Sequence, residues 1–323
     1  MTVSADHSVS PVSVLSSALP REYVHKSAHS EVLLTGWRAV APDEYVVTAQ
    51  WPRAHSFYSP DASGHHDPLL LAESVRQAIP LLSHVAYDAP FGHRQIWDTF
   101  SYSMNAAALV VGSAPADITL HIACSDITRR GRRLAGLTMH VTATREGELL
   151  GTAEARFTNQ SQAVYQRLRG HNADLAQVAA RMIPLPPPLT PRRVGRDRFH
   201  DVVLSPTSAT HRTQLRTDVN HPILFDHPVD HAPGMLLLEA VRQAAHGCAF
   251  PRRGVLTDLE IRFFRYAELD SPCWIETTPA PGGMTASGRL PVRVRARQNG
   301  ADVFTATATI SAAPATLSLC STL

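Results

Sequence analysis

The segment DHAPGMLLLEAVRQAA (Asp230–Ala245) is apolar along most of its length, yet it carries a glutamate and an arginine three residues apart. A second copy, HHDPLLLAESVRQAI (residues 65–79), aligns with it without gaps at an offset of 166 residues. Eight of the fourteen positions from His65 to Ala78 are identical, where about one is expected by chance. The chain therefore contains an internal duplication.

The composition is that of a globular protein long enough for two domains. Of 323 residues, 44% are hydrophobic and 18% are charged, and the net charge of +2 does not indicate nucleic acid as a partner. No apolar run approaches the eighteen or so residues that cross a membrane, and the Ser-rich start lacks the basic residues of a signal peptide. We expect a cytoplasmic protein whose cysteines are free thiols: Cys124, Cys248, Cys273 and Cys320.

A proline-rich segment divides the chain into halves. RMIPLPPPLTPRRVGRDR (Arg181–Arg198) contains five prolines and no sustained periodicity, which predicts a linker. We predict a lead-in at residues 1–20, a first domain at 21–180, the proline-rich linker at 181–198, a second domain at 199–315 and a tail at 316–323.

Each half repeats one order of elements. Alternating runs such as Glu44–Trp51 and His211–Val219 predict strands before the helix, and several more runs follow it as an antiparallel meander. A helix that is apolar nearly all round must be buried, and a curved antiparallel sheet wrapped around it buries it. The predicted fold class is therefore α+β, with two such hotdog units in one chain, a double hotdog.

The charged residues on the second helix allow two interpretations. Glu239, Arg242 and Gln243 lie on one helical face, and a buried carboxylate must be paired or used. Glu239 and Arg242 either form a structural ion pair that ties the helix to the sheet, or they project into a pocket as an acid–base group and an anion clamp.

The loop before that helix favours the functional interpretation. HPILFDHPVDHAPG (His221–Gly234) holds three histidines and two aspartates. The matching loop of the first half keeps two of the histidines but has Asp61 opposite His227, so His227 breaks the symmetry. Imidazoles and carboxylates also bind zinc or iron, but the prolines disfavour the helix that this spacing needs. We predict no metal site.

Two family resemblances rest on these residues. DHPVDHAPGMLLLEA is similar to the motif GHxPGxPxxPGxxxxEA of hotdog β-hydroxyacyl-ACP dehydratases, whose histidine lies two residues further upstream than His227. The longer match, DHPVDHAPGMLLLEAVRQ with HDPLLLAESVRQ in the other half, resembles the A-factor biosynthesis (AfsA-like) family of actinobacteria. That family makes precursors of γ-butyrolactone and furan signalling hormones, the methylenomycin furans among them.

The resemblance implies an acyltransferase that joins a β-ketoacyl group from acyl carrier protein to dihydroxyacetone phosphate, without a cofactor, as a monomer or homodimer. Arginine suits the phosphate, a histidine or glutamate suits the proton of the hydroxyl, and a helix N-terminus offers N–H donors to the thioester oxygen. No serine or cysteine nucleophile motif appears, so direct transfer is expected. The candidate catalytic residues are His227, Glu73 and Glu239, and the candidate substrate-binding residues are Arg242, Arg76, Gln243, Gly234 and His231.

The dehydratases also suggest how the halves cooperate. In two-chain hotdog dehydratases the histidine of one protomer works with the glutamate of the other. By that analogy His227 faces Glu73, whereas Asp61 faces Glu239, where two carboxylates repel each other. We predict that the His227–Glu73 site carries turnover. Two alternative functions remain, an acyl-thioester dehydratase or thioesterase, and a non-catalytic acyl- or hormone-binding module.

Overall fold

The computed structural model describes residues 18–131, 133–279 and 282–312. Most of the predicted lead-in, the predicted tail at 316–323 and Cys320 lie outside these ranges. The other three cysteines are free. No helix within the described ranges combines the length and the apolar character that crossing a membrane requires.

One twelve-stranded antiparallel sheet runs through the molecule. The strands of the first half are β1 (Leu34–Ala41), β2 (Glu44–Trp51), β3 (Arg94–Met104), β4 (Ala116–Arg130), β5 (Arg133–Arg145) and β6 (Glu148–Gln160). Those of the second half are β7 (Leu204–Ser205), β8 (Arg212–Leu215), β9 (Gly254–Phe263), β10 (Cys273–Pro279), β11 (Arg289–Gln298) and β12 (Ala301–Ala312). The order across the sheet is β1-β2-β4-β5-β6-β3-β9-β12-β11-β10-β8-β7, so both halves share one topology.

The two halves meet where β3 pairs with β9, with Phe100 opposite Ile261. The predicted simple meander is wrong in this respect, because β3 follows the helix in sequence but lies beyond β6. The reason is that β3 and β9 each pair on both sides, which removes the exposed edge that each half would otherwise present.

The repeated segment forms the two long helices, α1 (Leu69–Val85) and α4 (Gly234–Ala249). Fourteen of the 17 residues of α1 and twelve of the 16 residues of α4 are buried, as a helix that is apolar all round requires. The predicted α+β double hotdog is confirmed. Two short helices that the sequence analysis did not predict follow β6: α2 (Gln162–Arg169) and α3 (Leu175–Arg181).

The duplication begins earlier in each half than the helix. A 3-10 turn at Arg21–Val24 leads into His25 in the left-handed conformation and then Lys26. Likewise, a 3-10 turn at Pro191–Val194 leads into left-handed Gly195 and then Arg196. Residues 191–196 of the predicted linker are thus a second copy of residues 21–26.

The same arrangement of hydrogen bonds occurs in both halves and connects the chain that follows each 3-10 turn to the helix. The side chain of Gln77 accepts a hydrogen bond from the Leu33 N–H at 2.9 Å. The side chain of Gln243 accepts the corresponding bond from the Val203 N–H, also at 2.9 Å. Each glutamine thus satisfies backbone groups that are buried and would otherwise lack a partner.

Candidate active site

A cavity of about 960 Å³ lies between the two halves. Glu73 and Arg76 of α1 line it from the first half, while His227, His231 and the first turn of α4 line it from the second. Its apolar wall includes Ile79, Ile96, Trp97, Met235, Leu237 and Phe263. His227 and Glu73, which the sequence analysis paired, thus both line this cavity, and the cavity offers apolar surface of the kind that binds an acyl chain.

Glu73 is an ionised carboxylate surrounded by cations. Its oxygens lie 2.9 Å from Lys26 Nζ and 3.0 Å from Arg76 Nε, and Gln77 Nε2 donates to it at 2.8 Å. Burial disfavours the charge, but Arg76 and Lys26 outweigh it and lower the pKa of Glu73 to about 2. Glu73 is therefore a weak proton acceptor near neutral pH, and it holds an ammonium and a guanidinium at the cavity wall.

His227 is paired with the aspartate that precedes it. Its Nδ1 lies 3.3 Å from Asp226 Oδ2, and Asp226 also accepts the N–H groups of Ser27 at 2.7 Å and Ala28 at 3.3 Å. Burial opposes ionisation of Asp226, but the hydrogen bonds from His227 and Ser27 lower its pKa to about 2. A carboxylate on Nδ1 keeps the proton there and leaves Nε2 as the basic nitrogen. The His227 side chain is 39% exposed, so it is accessible from the cavity.

A second aspartate–histidine pair lines the same cavity. His231 Nδ1 lies 2.7 Å from Asp230 Oδ1. Tyr165 donates its hydroxyl to Asp230, and Arg169 Nε binds it at 2.9 Å. Burial opposes ionisation of Asp230, but the hydrogen bond from His231 helps to hold its pKa well below the usual range. The ring of His231 packs edge-on against Tyr266 with centroids 4.6 Å apart, which fixes its orientation.

The N-termini of α1 and α4 differ. In α1, Asp67 caps the helix by accepting the Leu69 N–H at 3.0 Å. In α4, the helix begins at Gly234 after Pro233 and has no side-chain cap. The first N–H groups of a helix lack partners within the helix. Gly234 and Met235 line the cavity, which makes their N–H groups candidate donors to an oxyanion.

The structure does not bring Glu239 to this cavity. Among the described residues, Glu239 is absent from the lining and has no exposed side-chain surface. Arg196 binds both of its oxygens, at 2.7 and 2.6 Å. The same guanidinium donates to the Phe57 carbonyl at 2.6 Å and lies 3.3 Å from Asp67. Arg196 thus pairs with Glu239 as Lys26 pairs with Glu73, but Lys26 and Glu73 line the cavity, whereas Arg196 and Glu239 are absent from the described lining.

Arg242 and Gln243 lie in the same buried network and, within the described chain, are likewise absent from the cavity lining. Arg242 lies 3.4 Å from Glu239 and donates to the Gly195 carbonyl at 3.1 Å. Gln243 donates to Glu239 at 2.6 Å and to the Asp201 carbonyl at 2.8 Å. Asp61 caps its own loop by accepting the Ser63 and His65 N–H groups at 2.8 and 2.9 Å.

We name the two pseudo-symmetric sites by their state. The open site comprises Lys26, Glu73, Arg76, His227 and the first turn of α4. The closed site comprises Asp67, Arg196, Glu239 and Arg242. Only the first of these sites lies on the described cavity.

The cavity residues that the sequence analysis missed include His25, Lys26 and Arg94. Lys26 carried a signal, since it is the single lysine of the chain. Aligning REYVHK with PRRVGR would also have placed His25 and Lys26 in the duplication. Arg94 is exposed at the start of β3, and no pattern in the sequence distinguishes it from the other arginines.

Within the described ranges, one group of three residues brings possible metal-ligating atoms within 4.8 Å of one another: His200, Asp201 and His221. The rings of His200 and His221 are stacked with an interplanar angle of 9°, whereas two imidazoles that bind one ion must each hold it in the ring plane. His221 Nδ1 also accepts the N–H groups of Ile223 and Leu224. His221 therefore stabilises the loop that follows it through these two hydrogen bonds.

Comparisons with known proteins give consistent matches over nearly the whole chain. The model of the A-factor biosynthesis hotdog domain matches residues 9–161 and 178–314. A protein of Streptomyces virginiae is 46% identical over 290 residues, covering 90% of this chain and 96% of that protein. One of Streptomyces coelicolor is 40% identical over 291 residues, covering 90% of each. Both are named 2-oxo-3-(phosphooxy)propyl 3-oxoalkanoate synthase.

A solved structure supports the fold. An oleoyl thioesterase structure from Lactobacillus plantarum superposes with a TM-score of 0.51, covering 83% of this chain and 96% of that chain. Its sequence identity of 11% means that the likeness concerns the hotdog architecture alone.

Proposed function

The chain belongs to the A-factor biosynthesis hotdog family, and on that premise we propose that it joins a β-ketoacyl group to the hydroxyl of dihydroxyacetone phosphate. The product is a 2-oxo-3-(phosphooxy)propyl 3-oxoalkanoate, the ester in the names of its relatives. We also propose that acyl carrier protein delivers the acyl group as a thioester, and that the ester leads to γ-butyrolactone or furan signalling molecules.

The observation that carries the proposal is the make-up of the open site. A histidine oriented by a carboxylate, a set of cations and an uncapped helix N-terminus all line one cavity. These are the groups that an acyl transfer to a phosphorylated alcohol needs: a base, an anion-binding site and an oxyanion site.

The proposed reaction is a direct transfer. His227 Nε2 takes the hydroxyl proton of dihydroxyacetone phosphate as its oxygen attacks the thioester carbonyl. The oxyanion that forms is stabilised by the N–H groups of Gly234 and Met235. As the intermediate collapses, the C–S bond breaks and the thiolate takes the proton from the His227 imidazolium, so that one C–O bond replaces one C–S bond. Asp226 keeps the imidazole in the required tautomer throughout.

In the proposed complex the phosphate of the second substrate binds to the cationic side chains of the cavity. It carries about two negative charges, and Arg76, Lys26 and Arg94 line the cavity on the side of the first half. Glu73 holds Lys26 and Arg76 in place through its ion pairs. We therefore assign Glu73 a positioning role and the three cations the binding of phosphate.

The test is to incubate the purified protein with a β-ketoacyl thioester and dihydroxyacetone phosphate and to analyse the products by mass spectrometry. The proposal predicts the mass of the phosphorylated ester and its dependence on both substrates. Free acid formed at the same rate without the alcohol indicates a thioesterase. Tight binding of the thioester with no new product indicates a binding module. Either result overturns the proposal.

A further inference from the structure

Lys26 differs from every other basic side chain of the protein. It is the single lysine among the 30 lysines and arginines of the chain. Its side chain is 5% exposed, with Nζ 2.9 Å from Glu73 Oε1. It nevertheless lines the cavity. An ion pair with a buried glutamate is a task that arginine performs at least as well, so the pairing alone does not explain why this residue is a lysine.

The second half of the chain carries an arginine, Arg196, at the position that corresponds to Lys26. Arg196 follows its 3-10 turn and a left-handed residue just as Lys26 does, and it binds Glu239 as Lys26 binds Glu73. Its guanidinium also extends further. It reaches the Phe57 carbonyl at 2.6 Å and Asp67 at 3.3 Å, both in the other half of the molecule.

The contacts of the Arg196 guanidinium with the first half close the site around Glu239. Arg196 bridges Glu239 to Asp67, and Asp67 in turn caps α1 through the Leu69 N–H. The N-terminus of α1 is therefore covered by a carboxylate and a guanidinium. In the open site the ammonium of Lys26 contacts Glu73, and the aligned position in front of α4 is Pro233, which offers no carboxylate. The first turn of α4 lies on the cavity as a result.

We propose that Lys26 is the residue that keeps the open site able to bind substrate. A lysine here holds Glu73 without filling the space between Glu73 and the first turn of α4. An arginine here extends into that space, as the guanidinium of Arg196 extends beyond Glu239 in the closed site. The identity of the molecule that enters rests on the proposed function, but the difference between an open and a closed site does not.

Three variants separate this role from a role of charge alone. Lys26→Arg keeps the charge and lengthens the side chain, whereas Lys26→Met removes the charge and leaves the space. Pro233→Asp supplies at α4 the cap that Asp67 supplies at α1. Arg196→Lys is the matched control in the closed site.

The measurement is the affinity of each variant for a β-ketoacyl N-acetylcysteamine thioester, read from the change in intrinsic tryptophan fluorescence, since Trp97 lies in the cavity wall. The expected order is wild type, then Lys26→Met, then Lys26→Arg. Filling the site is expected to weaken binding about a hundredfold, equivalent to about 2.7 kcal/mol, and Arg196→Lys is expected to bind like wild type. Circular dichroism and the melting temperature report on folding.

Lys26→Arg that binds as tightly as wild type, or more tightly than Lys26→Met, overturns the inference. If Lys26→Arg does not fold, Pro233→Asp decides, since binding at the wild-type level in that variant also contradicts the account. The ester assay is scored separately with the same samples. Absence of ester from wild type that binds the thioester refutes the proposed function, while the order of affinities still tests the role of Lys26.

Discussion

His25 adopts a backbone conformation that suits glycine. It has φ 51° and ψ 54°, whereas its counterpart Gly195 has φ 69°. A side chain in the left-handed region costs about 1–2 kcal/mol, and such strain concentrates at functional sites. His25 Nε2 lies 2.9 Å from His84 Nε2, and His84 Nδ1 donates to the Ala89 carbonyl at 2.7 Å. His25 therefore donates to His84, which leaves His25 Nδ1 as an acceptor beside the cavity.

Replacing His25 with glycine is expected to make the protein less sensitive to acid. Burial and nearby His84 lower the pKa of His25 to about 3 in the folded state, while the unfolded state has its ordinary value of about 6.5. The unfolded state binds the extra proton between these values, so folding stability falls as the pH drops toward and below 6.5, by about 1.4 kcal/mol between pH 7.5 and 5.5. Urea unfolding at pH 7.5 and 5.5 is expected to show a smaller loss in His25→Gly than in wild type. An equal loss in both proteins contradicts the assignment of a neutral His25.

Arg94 is the cation best placed to test phosphate binding without affecting folding. It is exposed, it lies over the Tyr165 ring at 5.6 Å, and it has no carboxylate partner among the ion pairs of the described residues. Arg94→Ala is expected to raise the KM for dihydroxyacetone phosphate about ten- to a hundredfold, since a charge-assisted contact contributes about 1.5–3 kcal/mol. The KM for the thioester is expected to change little. The control is Arg262→Ala, because Arg262 is absent from the cavity lining, although it stacks on the lining residue Phe264. Equal changes in both KM values exclude the phosphate role.

At the scale of the elements, the N-terminus of α4 distinguishes the two halves. Asp67 covers the start of α1, whereas the start of α4 has no side-chain cap and lies on the cavity. Both helices come from one repeated sequence, so this difference arises from the aligned residues in front of them, which are Asp67 before α1 and Pro233 before α4.

Met235→Pro tests whether that N-terminus stabilises the oxyanion. Proline is tolerated in the first turn of a helix but has no N–H. Met235→Ala is the matched control, because it removes the same side chain and keeps the amide. Loss of one oxyanion donor is expected to lower kcat about 10²- to 10³-fold relative to Met235→Ala. Similar kcat values in the two variants, with similar circular dichroism spectra, rule out the Met235 amide as a donor.

The strands were predictable where one face is buried. β2 begins and ends at the predicted Glu44 and Trp51, because its alternation of side chains follows the two faces of the sheet. The run His211–Val219 forms a strand over Arg212–Leu215 alone. α2 was missed because its residues are mostly polar, although Ser161 caps it by accepting the Val164 N–H.

The residues of the candidate site were predictable only as far as the repeat extends. The duplicated segment identified Glu73 and, through the broken symmetry of the loop, His227, which line one cavity. The contrast between Lys26 and Arg196 could not be inferred from the helices, because Arg196 and Glu239 are 43 residues apart and meet only in the folded chain. The same tertiary contact determines that Glu239 and Arg242 lie in the closed site.

At the scale of the whole molecule, the closed site joins the halves. Arg196 connects Glu239 of α4 to Asp67 and the Phe57 carbonyl of the first half. In the other direction, Asp226 accepts the N–H groups of Ser27 and Ala28. Together with the pairing of β3 and β9, these contacts cross between the halves at several places, so we expect them to unfold as one unit.

Removing the guanidinium of the closed site is therefore expected to destabilise the whole protein. Arg196→Met leaves two buried carboxylates without their main partner, which costs about 3–5 kcal/mol. Urea unfolding followed by circular dichroism is expected to remain a single transition at a lower midpoint. At urea concentrations where the variant is folded, its ester formation is expected to match that of wild type. An unchanged midpoint contradicts the structural role of the closed site.

In the proposed mechanism one of the two duplicated sites performs the reaction, and substitutions at the two aligned positions that break the symmetry test this most directly. The measurement is the rate of phosphorylated ester formation, followed by mass spectrometry, in folded His227→Ala and Asp61→Ala. His227→Ala is expected to lower the rate at least about a hundredfold, since general-base catalysis contributes about 10²- to 10⁴-fold. Asp61→Ala, which removes the cap of a loop, is expected to retain most of the activity. Wild-type rates in His227→Ala, or a folded but inactive Asp61→Ala, would contradict the account.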